Sequence, residues 1–316
     1  MAPISAPNVR PSGIGTQDRS WQQQSLNPLP YRETIWGLHI HSGDFAKVET
    51  KTDFATIRNG KIHFEMAGTG KPLLLLHSGI ADHRMWAGQC SEFSRHLQVI
   101  VPDFRGYGKS STPREPFRHY EDIHELIGHL GFTSVNIAGC SLGGKVAIEM
   151  AIAYPEMVGR LILIAPGMTG YEYRDKETLA KDAALEGLIA SGKREEVADM
   201  LVNIWVVGLR RNREAVDSAV RALVREMILD NYPSVIDKFP ETPPGFDIMS
   251  RLVEIRVPTL VMIGDNDLPD MQAISQLVAD RIRGAKRLSI PRAAHLPNLE
   301  NSMLFNRSVI DFLAVQ

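Results

Sequence analysis

The stretch Ser134-Val-Asn-Ile-Ala-Gly-Cys-Ser-Leu-Gly-Gly-Lys145 decides the fold. Val135 to Ala138 is a short apolar run of strand type, and Val146 to Tyr154 has helical spacing. Between them stands Gly139-Cys140-Ser141-Leu142-Gly143, a G-x-S-x-G sequence. At a strand-to-helix turn this pattern carries a nucleophile, because the turn is tight enough to strain the serine backbone and aim its hydroxyl out of the sheet. Small residues two positions before and after leave room for strand and helix to close around it. Ser141 is therefore the candidate nucleophile. Its neighbour Cys140 is read as a small buried residue rather than a second nucleophile.

Outward from this turn, strands and helices alternate. Phe54 to Arg58 and Lys61 to Met66 flank Asn59-Gly60, a two-residue hairpin signal. Pro72 to Leu76, Val99 to Val101, Leu161 to Ala165, Pro258 to Ile263 and Arg287 to Ile290 are further strands. Helical patterns cover Met85 to His96, His119 to Leu130, Met271 to Ile282 and Asn298 to Val315. Solid apolar strands in βαβ order imply an α/β fold: a mostly parallel twisted sheet with helices on both faces. The alternation breaks after Pro166-Gly167. Lys176 to Ile189, Arg194 to Val206 and Arg213 to Ile228 are then amphipathic helices without a strand between them. The expected organisation is an irregular N-terminal extension over residues 1–45, a core over 46–167 and 246–316, and a helical cap over 168–245 at the sheet edge where ligands bind.

Composition limits the function. Hydrophobic residues make up 44% of the 316 residues and charged residues 23%, enough for a full core. A net charge of −2 gives no reason to expect nucleic acid as a partner. Cys90 and Cys140 are too few for a disulfide framework. No apolar run reaches the ~18 residues of a membrane span. The extension lacks the apolar core of a signal peptide. A cytoplasmic protein is expected, although Asp18 is the only acid before Glu33 and a targeting sequence stays open. Trp21, Tyr31, Trp36 and Leu38 are more apolar than a free linker needs, so the extension is expected to lie on the surface of the core.

A serine hydroxyl needs a base to take its proton and an acid to orient that base. Both follow later strands. Gly264-Asp-Asn-Asp267 ends one strand, and Pro291-Arg-Ala-Ala-His295 follows the next. Asp267 is taken as the acid, with Asp265 and Asp270 as competitors, and His295 as the base. Attack on an acyl carbon creates an oxyanion, which two backbone N–H groups can hold. Leu142 supplies one at the start of its helix. Gly79 is taken as the other, with Ser78 and Ile80 as alternatives and His77 bracing the loop. Ser78, Ile80, Met168, Trp205, Val206 and Leu209 are candidate pocket contacts. Asp103 and Arg105 are read as a structural ion pair, Trp86 as core, and Arg210-Arg211 as a solvated helix face.

Five stretches carry a wider resemblance: His77-Ser-Gly-Ile-Ala-Asp-His-Arg-Met-Trp86, Val101-Pro-Asp-Phe-Arg-Gly-Tyr-Gly-Lys-Ser110, Gly139-Cys-Ser-Leu-Gly-Gly144, Gly264-Asp-Asn-Asp267 and Ala294-His-Leu-Pro-Asn-Leu-Glu300. In this order the chain, from about residue 50 to its end, resembles the capped α/β-hydrolases, in particular their esterases, lactonases and enol-lactone hydrolases. The resemblance implies an α/β-hydrolase fold, nucleophile Ser141, acid Asp267, base His295, and neither metal nor organic cofactor. Many relatives carry Gly where this chain has Ser78. Relatives that open epoxides or remove halides carry Asp at the elbow, so Ser141 argues against those chemistries. The expected activity is a serine hydrolase acting on a small-molecule ester or lactone. Dienoate-type carbon–carbon hydrolysis, cofactor-free haloperoxidase chemistry and a ligand receptor that retains the triad are the alternatives.

Overall fold

The computed structural model describes residues 49–112, 115–236 and 241–314. The N-terminal extension read over residues 1–45, with its four apolar residues, lies outside them. The described residues form one unit within Lys47–Gln316. Among the described residues eight strands make a single sheet: β1 (Thr50–Ile57), β2 (Gly60–Ala67), β3 (Pro72–Leu76), β4 (Gln98–Pro102), β5 (Val135–Cys140), β6 (Val158–Ile164), β7 (Thr259–Gly264) and β8 (Lys286–Ile290). Their spatial order is β1-β2-β4-β3-β5-β6-β7-β8. The β1–β2 and β2–β4 pairs are antiparallel and every other pair is parallel.

Successive strand residues point to opposite faces, and the core divides accordingly. Leu74, Leu76, Ile137, Leu161, Leu163, Val261 and Ile263 lie in one apolar cluster. Leu73, Leu75, Ala138, Ile162, Ile164, Leu260 and Met262 lie in the other. The first is covered by α2 (His119–His129), α3 (Leu142–Ala153) and α9 (Pro269–Arg281), through Ile123, Val146, Met150 and Ile274. The second is covered by α1 (Ala87–Phe93) and α11 (Ser302–Ala314), through Phe93, Phe305 and Val309. Trp86 is fully buried there beside Phe305, as its reading as core requires. Between β6 and β7 come α4 (Lys176–Ala190), α5 (Arg194–Leu201), α6 (Ser218–Asp230), α7 (Tyr232–Ile236) and α8 (Ile248–Arg251), followed after β8 by α10 (Pro297–Glu300).

Several elements differ from the sequence reading. The hairpin turn falls on Arg58 and Asn59, and Gly60 already pairs with Ile57. Gly60 is needed for another reason: a Cβ there would collide with the guanidinium of Arg105. The helix expected over Arg194 to Val206 gives way at Val202 to a π-helical turn, Val202–Val207, in which four of six residues are β-branched and crowd an α-helix. The helix expected from Arg213 begins only at Ser218, where Asp217 caps it. The helix expected over Asn298 to Val315 is broken at Asn301, whose backbone leaves helical angles.

Arg105 does not pair with Asp103. Its Nε and Nη2 donate to both oxygens of buried Asp122, at 2.7 and 2.8 Å, and Nη2 also reaches the Ile57 carbonyl at 3.3 Å. Asp103 has other partners, which already fill its oxygens. Removing one member of a buried pair leaves the other charge uncompensated. Asp122→Ala is therefore expected to lower stability by about 3–5 kcal/mol in denaturant titration; a variant within about 1 kcal/mol of wild type would show that water reaches Arg105.

Candidate active site

Strand register sets the site. Cys140 pairs with Ile164, Ile164 with Met262 and Met262 with Leu288. The C-terminal ends of β5 and β6 thus lie opposite Met262 and Leu288, β7 and β8 run on to Gly264 and Ile290, and the residues that follow all four strands share one edge. Ser141 has φ 53° and ψ −109°, the strained angles expected of it. Three backbone bonds hold it: its N–H donates to Ile164 at 2.9 Å, and its carbonyl accepts from Lys145 and Gly167, each at 2.9 Å. Gly143 lets α3 approach β3, since a Cβ there would strike the carbonyl of Leu76. The Gly143 N–H donates to the carbonyl of His77 at 3.0 Å, tying the loop after β3 to the turn.

Asp267 and His295 meet. The His295 Nδ1 lies 2.9 Å from Oδ2 and 3.2 Å from Oδ1 of Asp267, and both residues are buried. A carboxylate oxygen accepts, so Nδ1 is the donor, and in the neutral ring Nε2 carries the lone pair. The loops carrying the two are stitched by backbone bonds, Asp265 N–H to Ile290 at 3.0 Å and Asn266 N–H to Ala293 at 2.9 Å. The Sγ of Cys140, adjacent to Ser141, is 3.7 Å from the carbonyl of His295. The competing acids are engaged elsewhere. Asp265 is exposed, and Asp270 accepts from the N–H groups of Arg174 and Asp175 at 2.9 and 2.8 Å. Burial pushes the Cys140 thiol well above its ordinary range, which keeps it protonated.

In the loop after β3, His77 accepts the Phe104 N–H at Nε2, 2.9 Å away, and donates from Nδ1 to the Ser78 carbonyl at 2.8 Å. Both ring nitrogens are occupied and burial lowers its pKa, so it is a neutral brace. The Ser78 N–H is turned to Met85 Sδ and the Ile80 N–H to Ser78 Oγ, each at 3.3 Å. Among the described residues, the Gly79 N–H has no such acceptor. A Cβ placed on Gly79 would lie 3.7 Å from that of Leu142, so these two residues adjoin.

The remaining predicted contacts are dispersed. Trp205, in the π turn, lies over His295, with ring centroids 4.4 Å apart. Its neighbour Val206 is fully buried in the second cluster, and Met168 is buried in the first. Leu209 lines an open groove of about 610 Å³ with Leu188, Met200, Ile204 and Val207. Arg211 is not on a solvated face: it is largely buried against Glu300, while Arg210 is exposed. The segment between β6 and β7 also reaches the other edge loops. Asn231 donates to Asp82 at 2.8 Å and accepts from the Gly108 N–H at 2.7 Å.

One cluster of metal-ligating side chains occurs among the described residues. Candidate ligand atoms of His63, His83 and Asp103 lie within 4.8 Å of one another. Asp103 already accepts from His63 Nδ1 at 2.7 Å, His83 Nδ1 at 2.8 Å, His83 N–H at 2.9 Å and Lys109 N–H at 3.0 Å. Burial would raise its carboxyl, but the two imidazoles outweigh that and hold it far below the ordinary carboxylate range. With ring protons directed at a saturated carboxylate, the cluster is a hydrogen-bonded hub of the loops after β3 and β4. Sequence reading missed this hub because its members come from three separate segments.

With this geometry in place, comparison with known proteins assigns the family. The sequence profile described as alpha/beta hydrolase fold matches residues 71–302. The chain belongs to the alpha/beta hydrolase fold family. It is 27% identical over 295 residues to the 2-hydroxy-6-oxo-6-phenylhexa-2,4-dienoate hydrolase of Burkholderia cepacia, covering 84% of this chain and 97% of the relative. Among solved structures, a thermophilic esterase from Thermogutta terrifontis is 26% identical with a TM-score of 0.68, covering 84% of this chain and 98% of the esterase. The N-acyl homoserine lactone degrading enzyme Est816 is 27% identical with a TM-score of 0.69, covering 82% and 100%. Membership supports hydrolase activity. No helix among the described residues of this hydrolase is long and apolar enough to cross a membrane.

The hub of this hydrolase has a measurable pH signature. A carboxyl lowered on folding stabilises the protein above its unfolded pKa, and that contribution is lost as pH falls below it. Asp103→Asn should melt below wild type at pH 7, and the gap should narrow on acidification between about pH 5 and pH 3. Parallel melting curves across that range would contradict the charge state assigned to Asp103.

Proposed function

We propose that the chain is a serine hydrolase that cleaves a carboxylic ester or lactone through an acyl-enzyme. The observation that carries this reading is the buried Asp267–His295 hydrogen bond, 2.9 Å long, at the sheet edge where the strained Ser141 turn also stands. In this reading Ser141 Oγ attacks the acyl carbon while His295 Nε2 takes its proton. Asp267 holds the ring and balances the imidazolium charge. The N–H groups of Leu142 and Gly79 receive the oxyanion; among the described residues the Gly79 N–H, unlike those of Ser78 and Ile80, has no acceptor. His295 returns the proton to the leaving alcohol, or to the ring-opened hydroxyl of a lactone. It then activates the water that frees Ser141.

The helical segment over 168–245 acts as the cap in this reading. Trp205 is its point of contact with the base. The similarity to the B. cepacia dienoate hydrolase supports a second reading, in which the same three residues cleave a carbon–carbon bond. The two readings separate on substrates. Ester or lactone chemistry requires turnover of small aryl esters and lactones, abolished in Ser141→Ala; turnover confined to dienoates would replace it with carbon–carbon hydrolysis. Either way, Asp267→Asn should reduce kcat by roughly 10²- to 10⁴-fold, while Asp265→Asn stays near wild type. Near-wild-type kcat in Asp267→Asn would remove Asp267 from the mechanism.

A further inference from the structure

The loop between β8 and α10 carries His295, and a loop has no periodic backbone ladder to hold a side chain in place. Here a buried ion pair adds to the few backbone bonds that reach the loop, among them Asn266 N–H to Ala293. Arg211 and Glu300 lie 2.6 Å apart, with side chains 9% and 2% exposed. Arg211 donates from Nε to Val207 and from Nη2 to Val206, each at 2.7 Å, so it caps carbonyls at the end of the π turn. From Nη1 it donates to Arg292 at 2.7 Å, in the histidine loop. The second oxygen of Glu300 accepts the Ala294 N–H at 2.9 Å, one residue before His295. The same π turn meets His295 directly. The Trp205 carbonyl accepts the His295 N–H at 3.2 Å, and the indole lies over the imidazole.

We propose that Arg211 and Glu300 are positioning residues for His295, a clamp that locks its loop to the helical segment and so fixes the imidazole between Asp267 and Ser141. The inference rests on His295 being the base. Stability alone accounts poorly for such a pair, because a buried ion pair is often no better than apolar residues of the same volume. What the pair adds is geometry. A planar guanidinium addresses acceptors from two segments at once, which a lysine ammonium cannot do in the same fork. A base displaced by about 1 Å can cost a factor of 10² in rate.

Arg211→Lys keeps the charge and loses the fork; Glu300→Gln keeps the shape and loses the charge. In the full chain each should lower kcat on a small aryl ester by about 10- to 100-fold with KM little changed. Each should also shift or broaden the downfield proton resonance of the His295–Asp267 hydrogen bond, assigned by its loss in Asp267→Asn. A purely structural pair would lower the melting temperature and leave kcat and that resonance intact, and this result in a folded variant overturns the proposal. If Arg211→Lys does not fold, the isosteric Glu300→Gln decides alone. If the wild type turns over no ester, the ester reading fails, while the resonance still reports on the clamp.

Discussion

At Ser141 the chain stops being a strand and becomes a helix within one residue, and a backbone at φ 53° and ψ −109° is the result. Such angles cost of order 1–3 kcal/mol, so the surroundings must over-determine them. They do so from three directions. β6 accepts the Ser141 N–H, the Pro166-Gly167 segment and α3 donate to its carbonyl, and the His77 carbonyl holds Gly143 from the β3 side. The packing of α3 against β3 is close enough to demand glycine at 143. The rest of the molecule is arranged around that turn: two apolar clusters, one per face, keep the sheet flanking β5 in register.

Parallel strands that end at one edge explain how residues far apart in sequence converge. Ser141 directly follows β5, while Asp267 and His295 lie in the loops after β7 and β8, and register rather than sequence distance brings Asp267 and His295 together. The segment between β6 and β7 completes this edge. It touches the loop after β3 through Asn231, the first turn of α9 through the N–H groups of Arg174 and Asp175, and the loop that carries His295 through Trp205 and Arg211. A segment with this many polar contacts to the edge loops is placed to influence their geometry.

Much of this was legible in the sequence, for identifiable reasons. The inner strands are solid apolar runs because both faces are buried, and Ser141 and Asp267 follow such runs, whereas His295 follows the edge strand β8, in which Lys286, Arg287 and Ser289 are exposed. The structure brings Asp267 and His295 together as their positions suggested, and among the described residues the Gly79 N–H, unlike those of Ser78 and Ile80, has no acceptor. What was illegible depends on distant partners. Arg211 reads as a surface arginine until Arg292 and Glu300, 81 and 89 residues away, are placed beside it. Arg105 and Asp103 look like a pair because they are near neighbours, yet Asp122 and the two imidazoles take them separately. The π turn escaped a periodicity argument because one wide turn departs from the 3.6-residue period only locally.

The central claim is that Ser141 is the nucleophile activated by His295. A fluorophosphonate tests it directly, because phosphonylation needs both an activated hydroxyl and a site for the developing oxyanion. Peptide mass spectrometry of the labelled wild type is expected to find one adduct, on Ser141. It should be absent in Ser141→Ala and form much more slowly in His295→Ala. Labelling of another residue that persists in Ser141→Ala, or a folded wild type that the reagent leaves unmodified, would contradict the claim.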